Sequence, residues 1–391
     1  MFERWFKLDF DVAKSALILG PRRSGKTTLL KARFPDFAYS TLDDLDALSW
    51  AEKDPKGFVQ SLGKSFIIDE IQRSPQLTVA VKHAVDNLGA RALLTGSSSI
   101  GLLDAAADSL AGRISIRHLP TACWGEDVGP AQHNLLGAVA AIPVLVEGRR
   151  LLEEAILYGQ FPEILCQAKT ESKRQILLNY RDTYFIRDLM QLANIENLDA
   201  LLAIFHHLAR SIASTLDVSN FAREAGVSFA TAKKYLGTLL QSQLCFKLYG
   251  YQGGPAKRFM KSAKTYFADT GILQSLSVRL SEGQWLENFV LAELEKRRKL
   301  GLIPCERFYY YRSVGGQEID LVFEINDTVY AIEIKSATRP DAGDLRNLKD
   351  FARQIDRPCR TLLFYRGDEY RTVDGVQLVP VAALYRCGGW Q

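Results

Sequence analysis

The first regular pattern along the chain is a short apolar run, SALILG at residues 15–20, followed by GPRRSGKT and then TLLKARF. A closed apolar run, a glycine turn and a stretch of helix formers predict strand, loop and helix. Two further apolar runs of strand length, SFIIDE and ARALLTGSSS, make residues 1–124 read as a parallel α/β sheet. Residues 125–210 read as a connector and helical joint, with apolar 3–4 spacing at Leu177, Tyr180, Tyr184 and Leu189. In VSNFAREAGVSFATAKKYLGTLL the pattern predicts a short helix containing Ala222, a turn at Gly226, an N-cap at Ser228 and a second helix burying Tyr235, Leu236 and Leu239. Two strands around Gly253-Gly254-Pro255 follow, so residues 211–265 read as a helix-turn-helix with a wing. From 266 to 391 a helix, WLENFVLAELEKRRK, precedes the strands RFYYYRSV, QEIDLVFEI and TVYAIEIK, with turns at Gly315-Gly316 and Asn326-Asp327. The whole is an α/β multidomain pattern.

Composition changes this picture little. With 391 residues, 47% hydrophobic and 24% charged, the chain can bury several cores and is neither disordered nor fibrous. No apolar run approaches the ~18 residues that cross a bilayer. MFERWFKLDF carries Glu3, Arg4, Lys7 and Asp9 where a signal peptide needs an apolar stretch, so a cytoplasmic protein without a membrane partner is expected. Six widely spaced cysteines without C-x-x-C read as buried thiols. Charge changes it more. The formal net charge is +4, yet residues 219–264 hold Arg223, Lys233, Lys234, Lys247, Lys257, Arg258, Lys261 and Lys264 against the single acid Glu224. Such an island points to a polyanion, most often nucleic acid, or else to a solvated basic face.

GPRRSGKT between a strand and a helix has the spacing of a phosphate-binding loop. Gly20 and Gly25 let successive N–H groups turn toward phosphate, and the helix that opens near Lys26 adds its positive end. Lys26 reaches the β- and γ-phosphates of ATP and Thr27 offers a hydroxyl to Mg2+, with Arg23, Ser24 and Thr28 as further nucleotide contacts. Asp69 and Glu70 end the second strand: Asp69 holds magnesium through water, and Glu70 orients or deprotonates the attacking water. Ser97 or Ser98, after the third strand, senses the γ-phosphate. Arg113 is a candidate for stabilising transition-state charge, from this chain or a neighbouring copy, and a salt bridge at a domain joint is its competing reading.

GPRRSGKTTLL, FIIDEIQRSP, LLTGSSS and LAGR, in that order, resemble the AAA-type ATPase module of a large family of bacterial and archaeal ATPases with an uncharacterised C-terminal region. YGQFPEIL, YFIRDL, KSAKTYFADTGIL, WLENFV, QEIDLV and AIEIK fit the same family, so the resemblance covers nearly the whole chain and implies ATP binding. Gln160 stands where a second glycine is expected, and residues 125–150 are irregular for the family.

Within the basic island, Lys233, Lys234, Lys257 and Arg258 are the candidate contacts to DNA phosphates; a rigid protein joint is the alternative use of a winged helix. The adjacent His206 and His207 point about 100° apart on a helix and read as structural.

A two-residue turn at Asn326-Asp327 fixes the hairpin register. It sets Asp320 opposite Glu333 and Glu318 opposite Lys335. Opposed carboxylates ask for a cation, and magnesium suits them. Lys335 would stabilise transition-state charge, and Glu287, on the edge of the helix stripe Val290, Leu291 and Leu294, adds another acid. Asp320, Glu333, Lys335 and the upstream Glu287 resemble the active site of the PD-(D/E)xK nuclease superfamily, which implies a restriction-endonuclease-like domain. The leading expectation is an ATPase that couples nucleotide state to DNA binding and magnesium-dependent nucleic-acid cleavage. The alternative is a regulatory switch whose nuclease-like domain holds DNA or a protein partner without cutting, and self-association is compatible with both.

Overall fold

The computed structural model describes residues 2–8, 15–99, 102, 112–137, 139–185, 195, 197–251, 263–313 and 315–390. Strands β1 (Ser15–Leu19), β2 (Ala38–Thr41), β3 (Ser65–Asp69), β4 (Arg91–Gly96) and β5 (Ile114–His118) form a parallel sheet in the order β2-β3-β4-β1-β5. Alternation sends Leu17 and Leu19 into one apolar layer and Ala16 and Ile18 into the other, so both faces of this sheet are covered. Helices α1 (Lys26–Arg33), α2 (Leu45–Lys53), α3 (Pro55–Ser61) and α4 (Leu77–Leu88) connect the strands.

The expected irregular connector is stitched to the far end of the chain. Strand β6 (His133–Asn134) pairs with β15 (Cys387–Gly389), and helix α5 (Ile142–Tyr158) leads to the short helix α6 (Pro162–Leu165) and to α7 (Thr170–Asn179). After α8 (Leu198–Arg210), the pair α9 (Val218–Glu224) and α10 (Phe229–Gln241) forms as expected. Ser228 caps α10 by accepting the Thr231 N–H at 3.1 Å, and Gly226 turns the chain at φ 63°.

Strands β7 (Cys245–Gly250) and β8 (Lys264–Phe267) pair antiparallel, and β7 then runs parallel to β9 (Tyr309–Arg312). They therefore end an eight-stranded sheet with β10 (Glu318–Ile325), β11 (Thr328–Lys335), β12 (Cys359–Tyr365), β13 (Arg371–Val373) and β14 (Val376–Pro380). The expected boundary at residue 265 falls inside this sheet. Helices α11 (Thr270–Ser275) and α12 (Glu282–Lys299) cover one face, while α13 (Ala342–Gln354) covers the other with Leu345, Leu348 and Phe351. One apolar cluster runs from Trp124 to Trp390, so connector, helix pair and C-terminal sheet share a core. The wing tip at Gly253-Gly254-Pro255 lies outside the described residues, as does Leu189. Cys123, Cys245 and Cys387 are buried as expected, whereas Cys166 is exposed.

A seam of buried charge locks these parts together. Asp269 accepts hydrogen bonds from the Thr121 hydroxyl at 2.7 Å, the Gln160 N–H at 3.0 Å, the Gly271 N–H at 2.9 Å and the Lys296 ammonium at 3.2 Å. Glu293, one turn earlier on α12, takes the Trp124 N–H at 2.8 Å, Lys296 at 2.8 Å and Arg297 at 2.6 Å. Arg297 also donates to the Leu384 and Cys387 carbonyls. Gln160, the departure from glycine, needs only its backbone here. The preceding Gly159 is the constrained position: φ is 69°, and a Cβ would lie 1.7 Å from Asp269 Oδ1.

Asp269→Ala would leave Lys296 partly unpaired and orphan three further donors. Loss of one partner from a buried charge pair costs about 3–5 kcal/mol. Urea denaturation of the full chain should show a loss of that size, against a small loss for the exposed pair variant Arg150→Ala.

Candidate functional site

The nucleotide site grows from the carboxyl edge of the first sheet. Gly25 caps α1 in the left-handed region at φ 92°, and a Cβ on Gly20 would strike the Leu119 carbonyl oxygen at 2.1 Å, so both glycines are required by the loop's path. Lys26 is buried and donates back to the carbonyls of Gly20 at 2.9 Å and Pro21 at 3.1 Å. Burial holds its pKa below the ordinary lysine value, against the opposing pull of Glu70 and Asp69.

The Thr27 hydroxyl donates to Asp69 Oδ2 at 2.8 Å, and the Tyr39 hydroxyl reaches the same oxygen at 3.0 Å. Thr95 holds the other carboxylate oxygen. A hydroxyl beside a carboxylate, all oxygen donors, suits magnesium. Glu70 sits at φ 58°, an uncommon conformation for a non-glycine residue. Its Oε2 accepts from Ser97 Oγ at 2.8 Å and from Gln72. Burial alone would raise the Glu70 pKa; Lys26 and these two hydrogen bonds outweigh it and hold the carboxyl below its usual range.

Arg23 pairs with Glu163 of α6 at 3.1 Å, which ties the loop to the helical part. Thr28 is exposed and lines a cavity of about 550 Å³ with Phe2, Arg4, Leu29 and Pro162. Arg113 requires a correction. It precedes β5 at the amino edge of the sheet, bonds both oxygens of Asp86 at 2.7 and 2.9 Å, and stands a full strand, roughly 16 Å, from this chain's own loop.

Two residues escaped the sequence reading. Gln72 bridges Glu70 and Ser97, and its only signal was the position two residues after the paired acids. Arg4, 6% exposed, donates to the Ser24 carbonyl at 2.6 Å, the Pro120 carbonyl at 2.9 Å and Glu126 at 3.0 Å. No local pattern marks it, because its partners lie 20 to 122 residues away.

In the C-terminal sheet the hairpin has the expected register, with Ile325 opposite Thr328 and Leu321 opposite Ile332. The paired stretch ends at Leu321. On its other side β10 bulges against β9 between Ile319 and Val322, and Asp320 Oδ2 accepts the Ile334 N–H at 2.9 Å. Asp320 and Glu333 meet side chain to side chain. The expected pairing of Glu318 with Lys335 does not form. Glu318 instead pairs with Lys264, and Lys335 lies 3.6 Å from Glu333 and 3.8 Å from Asp344.

Glu287 accepts from the Tyr266 hydroxyl at 2.6 Å. Burial and then the charge of Asp320 push its pKa up to about 8, despite Lys264. Burial raises Asp320 as well, and burial together with Asp320 raises Glu333. The four expected residues do converge, but around lysine. In this arrangement the positive charge among the acids, expected from magnesium at Asp320 and Glu333, is supplied by the ammonium groups of Lys264 and Lys335.

On α10, Lys233 and Lys234 are exposed beside Phe229. Lys257 and Arg258 lie outside the described residues. Lys264 was counted with them and is instead buried. His207 serves structure: it pairs with Glu224 and stands edge-on to Phe221.

Residues 13–127 match the AAA domain family. The loop, the paired acids and this match make the amino-terminal part of the chain a P-loop ATPase domain. Residues 149–282 and 282–384 match two domains of unknown function, DUF8612 and DUF4143. Uncharacterized proteins of Mycobacterium bovis and Mycobacterium tuberculosis are each 28% identical over 397 aligned positions, covering 96% of this chain and 82% of theirs. An uncharacterized protein of Methanocaldococcus jannaschii is 27% identical, covering 83% of this chain and 78% of its own. Among solved structures, a Walker-type ATPase of Pyrococcus abyssi is similar over 68% of this chain and 91% of that one, with 16% identity and a TM-score of 0.41. Among the described residues no helix is long and apolar enough to cross a membrane.

Lys26→Ala should lower ATP affinity about 100-fold, since two charge-assisted contacts of roughly 1.5 kcal/mol each are lost; equilibrium dialysis with labelled ATP checks it. The acid cluster gives a pH prediction. A carboxyl held near 8 when folded binds its proton more tightly than the unfolded chain does, so its contribution is complete below about 4.5 and lost as pH rises through 8. Melting temperature should therefore fall between pH 5 and 8, and Glu287→Gln should flatten that slope.

Proposed function

We propose that the protein is an ATP-driven switch that hydrolyses ATP at the loop Gly20–Thr28 and sets, by its nucleotide state, how the helix pair α9–α10 holds DNA. ATP would displace the Lys26 ammonium from the Gly20 and Pro21 carbonyls onto its β- and γ-phosphates. Thr27 and Asp69 would hold magnesium, which neutralises charge on the phosphates. Glu70 would orient the attacking water through Oε1, while Ser97 and Gln72 fix its other oxygen. The cavity beside Thr28 and Arg4 would take the base and ribose.

One observation carries the coupling. The loop that bonds Glu70 through Ser97 is bonded, two residues later, to the last turn of α10: Ser99 gives its N–H to the Gln241 carbonyl at 3.0 Å and its hydroxyl at 3.2 Å. Movement of Ser97 on γ-phosphate loss would thus be delivered to the helix that presents Lys233 and Lys234. For the C-terminal domain, the lysines paired with its acids favour the alternative in which it supports binding without cleavage.

Duplex binding should be sequence-independent and salt-dependent. Lys233→Ala with Lys234→Ala should reduce the salt slope by about 2, at −0.9 per phosphate contact. In a Glu70→Gln background, which should bind ATP without turnover, ATP should change duplex affinity at least about fivefold. Ser99→Pro, which deletes the donor N–H, should bring that ratio close to one with ATP binding retained. An unchanged salt slope, or an unchanged ratio in Ser99→Pro, contradicts the proposal.

A further inference from the structure

Strand β8 delivers a cation into the midst of the acids. Lys264 is 2% exposed, ion-paired with Glu318, and places Nζ 5.5 Å from the centre of the Tyr310 ring. Burial would lower its pKa, yet the charges of Glu287, Asp320 and Glu318 prevail and hold it above the ordinary lysine value. Tyr266, two residues on and so on the same face of the strand, donates to Glu287. The strand is fastened on both sides. Asn288 of α12 accepts the Phe267 N–H at 2.8 Å and donates to the Phe267 carbonyl at 3.1 Å, and Leu216 donates its N–H to the Ala263 carbonyl at 2.8 Å. Lys264 is therefore held in place by the backbone around it.

The half-buried Glu287 and Asp320 and the buried Glu333 cannot all remain ionised so close together without neutralisation by protons, a metal ion or side-chain cations. Magnesium would need several oxygen ligands in near-octahedral array. An ammonium tethered by its own strand answers the same charge with no loss of translational freedom on binding. It also repels a second cation.

We propose that Lys264 is the resident cation of the Glu287, Glu318, Asp320 and Glu333 cluster: it stands in for a divalent ion, excludes that ion, and keeps the carboxylates assembled. The proposal rests on the non-cleaving reading of this domain. Lys335, 36% exposed and paired with Glu333 and Asp344, is the outer cation, whereas Lys264 is the inner one.

The test is a Mn2+ titration of the full chain without nucleotide, by calorimetry and by the shift in melting temperature. Wild type and Lys264→Arg should show only the weak binding seen in Asp320→Asn. Lys264→Met should melt lower without metal, bind Mn2+ at least tenfold more tightly than wild type, and recover melting temperature as Mn2+ is added. Adding Asp320→Asn to Lys264→Met should abolish the gain. Wild type binding Mn2+ as tightly as Lys264→Met overturns the proposal, as does a Lys264→Met chain that gains no affinity and no thermal recovery. A parallel assay of duplex cleavage separates the two readings. Cleavage by wild type that Asp320→Asn abolishes would overturn the non-cleaving reading, whatever the titration of Lys264→Met shows.

Discussion

Everything in this chain hangs on the buried charge seam around Asp269, Glu293, Lys296 and Arg297. Each of these groups would be costly to bury alone, and each finds its partners on a different segment. Thr121 and Trp124 come from the end of the ATPase sheet, Gln160 from the helical joint, and Leu384 and Cys387 from the C-terminus. The cost of desolvation is met only when all segments are docked, so the seam specifies one arrangement of the parts more than it adds stability. A continuous apolar core from Trp124 to Trp390 supplies the driving force.

A rigid seam at one end of the ATPase domain gives small movements at the nucleotide something to act against. Arg4 ties the Ser24 carbonyl to Glu126, which in turn holds the Cys123 N–H beside the seam. That contact anchors the loop. On the other side, the Glu70–Ser97 hydrogen bond and the Ser99–Gln241 contact lead from the paired acids to α10. One route is tied to the seam and the other is short, buried at Glu70 and Ser97, half-buried at Ser99 and exposed at Gln241, so displacement on hydrolysis would be steered toward the helix pair.

What could be read from the sequence was local. The glycine loop, Asp69 and Glu70, the Ser228 cap and the hairpin register to Leu321 and Ile332 all follow from residues within a few positions of each other. What could not be read depends on distant partners. Lys264 looked like a surface cation because its neighbours in sequence are basic, whereas its partner Glu318 is 54 positions on and reached only through the crossover that sets β7 beside β9. Glu318 and Lys335 each found a partner other than the one expected across the hairpin, Lys264 from β8 for the first and Glu333 for the second. Arg113 shows the same limit: its own segment does not reveal that β5 runs toward the loop, which leaves the arginine at the far edge from this chain's own nucleotide site.

The central claim is that the nucleotide site and α10 move together. Hydrogen–deuterium exchange of the full-length Glu70→Gln chain, with and without ATP and magnesium, tests it most directly. The expected result is a change in amide exchange at the loop 97–99 and across residues 238–244, the last turn of α10 and the three residues after it, alongside protection of Gly20–Thr28. Protection confined to the loop Gly20–Thr28, with residues 238–244 unaltered at saturating ATP, would contradict it.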